Sequence, residues 1–74
     1  MARFYKVTET TIISGQSVDA IWHFDDIEGA KSRFHSIMAS AYANSDVEYA
    51  LSVIIDDRGY VVERDRIPEL TDEE

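Results

Sequence analysis

Apolar and polar residues alternate from Phe4 onward. Over residues 4–13 and 18–24, Val, Ile, Thr and aromatic side chains recur at every second position, the period of a half-buried strand. Between them, Ser14-Gly15-Gln16-Ser17 predicts a two-residue turn with Gly15 first, as in a type II′ hairpin. Pairing outward from that turn sets Ile13 against Val18, Thr11 against Ala20, Glu9 against Trp22 and Val7 against Phe24 on one side. Ile12 then meets Asp19, Thr10 meets Ile21 and Thr8 meets His23 on the other. One face is mostly apolar and the other mostly polar, as a hairpin with one buried side requires.

The period then lengthens. Asp25-Asp26-Ile27-Glu28 predicts a helix start, with Asp25 as the cap and Glu28 completing a D-x-x-E variant of the capping box. Ile27, Ala30, Phe34, Ile37, Met38, Ala41 and Tyr42 recur at helical spacing, an apolar stripe of about four turns that Asn44-Ser45-Asp46 ends. Phe34, in mid-stripe, is expected at the centre of the core, facing Trp22 and Leu51. Tyr49, Leu51, Val53 and Ile55 next alternate with Ala50, Ser52, Ile54 and Asp56 in a third strand, the larger set expected beneath the helix. Asp56-Asp57-Arg58-Gly59 fits a type I turn with a left-handed glycine, and Tyr60 to Arg66 returns as a fourth strand with Val62 opposite Ile54. The expected fold is α+β, a two-layer β-β-α-β-β domain in which two antiparallel hairpins form a sheet packed on one helix. It spans residues 1–67, followed by an acidic tail at 68–74. The pattern leaves the strand order open.

Charge and composition narrow the function classes. Fifteen acids against seven bases give a formal charge of −8, half of it on the tail, and no two basic residues are adjacent. Direct nucleic-acid binding, which needs clustered Lys and Arg, is not expected. The chain has no cysteine, so disulfides, thiolate metal sites and cysteine nucleophiles are excluded. No apolar run exceeds the three residues of Val53-Ile54-Ile55, and no apolar signal-peptide segment follows the first residues, so a cytoplasmic protein without a membrane partner is expected. A domain of this size buries little of its surface, which favours self-association.

Candidate chemistry is sparse. His23 and His35 lack ligand companions at helical spacing, and the Asp56-Asp57 pair lacks the remaining ligands of a calcium loop. A single helix over a sheet leaves little volume for a substrate pocket, so neither an enzyme nor a cofactor is expected. Acidic mimicry of nucleic acid is a further idea, but most of the carboxylates already suit helix ends, turns or the tail.

Two features instead suggest protein contacts. Gly29, Ser32, Ser36, Ala39, Ser40 and Ala43 form a stripe of small residues opposite the helix core, where long polar side chains are usual. The sheet face away from the helix is expected to carry Phe4, Thr10, Ile12, Ile21, Ala50, Ile54 and Val62 among Lys6, Thr8, His23, Ser52 and Arg64, with nothing in the chain to cover it. Interface residues are therefore expected at Ile12, Ile21, Ile54 and Val62 on the sheet, and at Gly29, Ser32, Ser36 and Ala39 on the helix. They would serve a homo-oligomer or a protein target. A second reading has subunits enclosing a nucleotide or metabolite, with Trp22, Tyr42 or Tyr60 stacking on it.

The run Phe4-Tyr5-Lys6-Val7-Thr8-Glu9-Thr10-Thr11-Ile12-Ile13, with Val18-Asp19-Ala20-Ile21-Trp22-His23-Phe24-Asp25, resembles small uncharacterised proteins of phages and prophages of Gram-positive bacteria. The similarity spans about the first 40 residues and carries over no catalytic or binding residue. It implies an accessory particle component or, preferred here, an inhibitor of a host defence protein that acts by binding in the host cytoplasm.

Overall fold

The computed structural model describes residues 3–67. The expected tail at 68–74 lies outside the described residues. The elements are β1 (Tyr5–Ile13), β2 (Gln16–Phe24), α1 (Ile27–Ala43), β3 (Val47–Asp56) and β4 (Val61–Ile67). They form one antiparallel sheet in the order β2-β1-β3-β4 with α1 on one face, the α+β arrangement that the hydrophobic periods predict. The helix lies chiefly over β1 and β3, the central strands.

The first hairpin turns one residue earlier than expected. Ser14 and Gly15 are its loop, both at positive φ (52° and 81°), so the turn is of the type I′ kind rather than II′. The Gly15 N–H donates to Glu48 Oε1 at 2.7 Å, tying the turn to β3. Pairing shifts accordingly, with Val7 opposite Trp22 and Ile13 opposite Gln16. A shift of two leaves every side chain on its expected face.

The helix also starts one residue late. Asp26 is the cap, its Oδ1 accepting the Gly29 N–H at 2.7 Å. The third helical residue is thus Gly29, which has no side chain to complete a capping box; Glu28 instead faces the positive helix end from the first turn. A Cβ on Gly29 would lie 2.7 Å from Asp26 Oδ1 and 3.0 Å from Phe24 Cδ1, so the close approach of helix and β2 depends on glycine. Tyr42, expected on the apolar stripe, is exposed. At 100° per residue it lies about 80° round the helix from Phe34, beyond the edge of the sheet contact.

Val7, Ala30, Phe34, Ile37, Met38 and Ile54 form the core, with Tyr5, Trp22, Phe24, Ile27 and Ile67 packed against it. Phe34 is central, as its position in the stripe implies. Ile54 is a correction: it is fully buried and lies opposite Val7 beneath the helix, not on the uncovered face. Ala50 and Ser52 are buried beside it, while Tyr49, Leu51, Val53 and Ile55 point the other way. Side-chain size explains the inversion. The short Ala50 and Ser52 leave depth for Phe34, Ile37 and Met38, which Leu51 and Val53 would fill. The polar atom this buries is satisfied, because Ser52 Oγ donates to the Thr8 carbonyl at 2.9 Å.

The β3–β4 turn follows its sequence. Gly59 has φ 86°, its N–H donates to the Asp56 carbonyl, and the Asp56 N–H donates to the Tyr60 carbonyl, both at 3.0 Å. Beyond it, a register irregularity between Ile54 and Ile55 pairs Ile55 with Val61 and Ile54 with Glu63, so Val62 is not opposite Ile54 as expected.

Candidate interaction surface

Residues opposite one another in an antiparallel pair point to the same face, so the register defines the sheet surface that the helix leaves open. Four rows cross it: His23, Lys6, Ile55 and Val61; Ile21, Thr8, Val53 and Arg64; Asp19, Thr10, Leu51 and Arg66; and Ser17, Ile12 and Tyr49. No described element covers them. Ile21 is 69% exposed and Val61 55%, whereas Leu51, Val53, Ile55, Ile12 and Tyr49 shield one another to half-burial.

This surface is more apolar than expected, because β3 brings Leu51, Val53 and Ile55 where Ala50, Ser52 and Ile54 were placed. Ile12 and Ile21 stand on it as expected. Val62 is exposed at the bulge on edge strand β4. Sequence reasoning missed the β3 residues because it ranked the two alternating sets by polarity. The signal available was size, small Ala50 and Ser52 being suited to a close helix.

The face also departs from the charge of the whole chain. Lys6, Arg64 and Arg66 project from it against one carboxylate, Asp19. The Phe4 ring lies 4.8 Å from His23, with Lys6 Nζ 5.9 Å from the Phe4 centroid, extending the apolar surface past the first row. Carboxylates gather on the other side: Glu9 lies opposite Ser52 and accepts from Thr11 Oγ1 at 2.8 Å, and Asp65 shares that row.

The small-residue stripe is where the helix period put it. Ser32, Ser36, Ala39, Ser40 and Ala43 are exposed and Gly29 is half-buried. Part of it borders a shallow groove of about 300 Å³ lined by Phe24, Gly29, Ser32, Arg33 and Ser36. Trp22 stands on β2, Tyr42 on α1 and Tyr60 in the β3–β4 turn. The Arg33 guanidinium lies 5.0 Å from the Trp22 ring and that of Arg58 5.0 Å from Tyr60, so two of the rings already carry a cation. The structure does not gather the three into one stacking site within a subunit.

Asp56 organises its turn. It accepts from the Arg58 N–H at 2.9 Å, the Tyr60 N–H at 3.0 Å and Arg58 Nη2 at 3.0 Å. Desolvation pushes its pKa up, but the hydrogen bonds from Arg58 and Tyr60 and the Arg58 charge together outweigh it and hold the group below the ordinary 3.8. Asp57 Oδ2 accepts the Arg3 N–H at 3.1 Å, while its buried Oδ1 accepts no hydrogen bond from the described residues. Asp56 is thus spent on the hairpin and Asp57 on the segment before β1. His23 stacks on Phe4 and His35 meets the edge of Phe34 at 5.4 Å. Among the described residues no three His, Asp or Glu side chains group as metal ligands, and no helix is long and apolar enough to cross a membrane. Comparison with protein-family models, curated proteins and solved structures finds no match for this chain.

Proposed function

We propose that the protein works by binding another protein chain rather than by catalysis, and that its working surface is the open face of the sheet. The observation that carries this reading is the inversion of β3, which leaves Leu51, Val53 and Ile55 outside while Ala50 and Ser52 are buried. An apolar patch continuous over three strands and bordered by polar and charged groups is the usual form of a protein interface. The resemblance of its first two strands to phage and prophage proteins fits an inhibitor of a host defence protein, acting in the host cytoplasm by occupying a surface.

A photo-crosslinking residue placed at Val53, compared with one at Ser40 on the helix, tests the surface in cells. Protein adducts from Val53 and few from Ser40 are expected. Adducts confined to Ser40 would transfer the function to the small-residue stripe, and none from either would remove protein binding as the function.

A further inference from the structure

We propose that the open sheet face takes a second copy of this chain, packed face to face about a two-fold axis parallel to the strands. The inference rests on the reading of that face as a protein-binding surface and names its occupant, so that a host target would meet the dimer on its helix faces or sheet edges. The placing of Asp19 and Arg66 selects the partner, while Lys6 in the first row and Arg64 on the edge strand keep their charges at the rim of the face. Rotation about an axis parallel to the strands, between β1 and β3, lays β2 of one subunit over β4 of the other and β1 over β3, with every cross-sheet row meeting itself reversed.

In the third row this places Asp19 against the copy's Arg66, and by symmetry Arg66 against the copy's Asp19. The one carboxylate among the four rows thus meets an arginine twice per dimer. Arg66 has a contact within its own chain, and the several donors of its guanidinium allow it to keep that contact while reaching across. The central strands meet through methyl and aliphatic contacts: Thr10 lies under the copy's Leu51, Thr8 under its Val53, the aliphatic stem of Lys6 along its Ile55 and Ile12 under its Tyr49.

The alternative two-fold axis in this plane runs across the strands. Centred between the second and third rows, it would set Arg64 against the copy's Arg66 and Ile21 against the copy's Asp19. That opposes like charges at one edge and leaves Asp19 without a cation opposite it at the other, whereas the axis parallel to the strands sets Ile21 along the aliphatic stem of the copy's Arg64.

Sedimentation across the micromolar range gives the test. The wild type is expected at twice 8.4 kDa. Leu51→Lys should be a folded monomer, its fold checked by circular dichroism. Asp19→Arg and Arg66→Asp should each weaken the dimer by about tenfold or more, because each sets like charges against one another. An equimolar mixture of those two variants should recover it as a heterodimer. The arginine introduced at position 19 of one chain then faces the aspartate introduced at position 66 of the other, and the unchanged Asp19 and Arg66 face each other. A monomeric wild type overturns the proposal, as does a dimer indifferent to the two reversals or a mixture that fails to associate. Were the wild type monomeric while Val53 still crosslinked to a different protein, the binding reading would survive and this occupant would not; absence of both would end both.

Discussion

The two hairpins of this sheet choose their buried faces by different criteria. In β1–β2 polarity decides: Val7, Trp22 and Phe24 turn to the helix, and Lys6, Thr8, His23 and Asp19 turn away. In β3 fit overrides polarity, with Ala50, Ser52 and Ile54 inside and the more apolar Leu51, Val53 and Ile55 outside. A helix presenting Phe34, Ile37 and Met38 needs a shallow floor, and the central strand supplies it at the expense of leaving its bulkier side unburied. The difference shows how a small domain can be well packed on one face and still unfinished on the other.

The largest effect should come from treating the two faces of β3 alike. Ile54→Lys places a charge among Val7, Phe34 and Met38 and should cost more than about 4 kcal/mol, a large share of a total stability of order 4–11 kcal/mol. Leu51→Lys, three residues away on the same strand, should change stability by less than about 1.5 kcal/mol in the monomer. Thermal unfolding followed by circular dichroism separates them. An Ile54→Lys variant as stable as Leu51→Lys would return β3 to the phase its hydrophobicity suggests.

How much was legible follows from the same contrast. The element order, both turns to within a residue and Phe34 at the core centre follow from period, glycine placement and the acidic helix start. These signals are local, and the hairpin's strict alternation tolerates a two-residue shift in pairing without moving a side chain to the wrong face. The phase of β3 is a tertiary property, set by which side chains the helix brings down, and no window along the chain contains it. The strand order is likewise a choice between distant segments. The open face is therefore legible in Ile12 and Ile21 but not in Leu51, Val53 and Ile55, whose places depend on that phase.

Fit also governs where the helix meets the first hairpin, and Gly29→Ala sharpens that side. Alanine's better helix propensity would add about 1 kcal/mol in an open position. Here its Cβ would meet Asp26 Oδ1 at 2.7 Å and Phe24 Cδ1 at 3.0 Å, disturbing both the cap and an aromatic packed on the core. Overpacking and cap loss of about 1–3 kcal/mol should prevail, so denaturant unfolding should show a net loss of up to about 2 kcal/mol. A gain would mean that Phe24 yields freely and that the hairpin is held only loosely to the helix.

The two turns differ as well: that of β3–β4 is charged and pH-dependent. Because Asp56 has a folded pKa below the ordinary 3.8, its ionised form contributes stability above that value and loses it as pH falls through the folded pKa. Asp56→Asn should therefore lower the thermal midpoint at neutral pH, and the gap to wild type should narrow steadily as pH drops below 3.8. A gap independent of pH would assign the effect to the hydrogen bonds of Arg58 and Tyr60 alone, without the charge.

The smallest effect belongs to the turn of β1–β2, where the sequence is one residue short of its optimum. Ser14 has φ 52° and Gly15 φ 81°, so both loop positions are left-handed. Glycine takes such a conformation without strain, whereas serine gives up part of the roughly 1–2 kcal/mol by which L-residues disfavour it. Asparagine is better suited there, and Asn-Gly is the preferred pair for a type I′ loop. Ser14→Asn should thus raise stability by about 0.5 kcal/mol in denaturant unfolding, without altering the Gly15–Glu48 hydrogen bond, which uses backbone and β3 atoms only. The same substitution would be unfavourable had the turn been built on Gly15 and Gln16, because residue 14 would then be extended, where asparagine is a poorer strand former. Its sign therefore decides between the two turns, and it does so at a site far from the core.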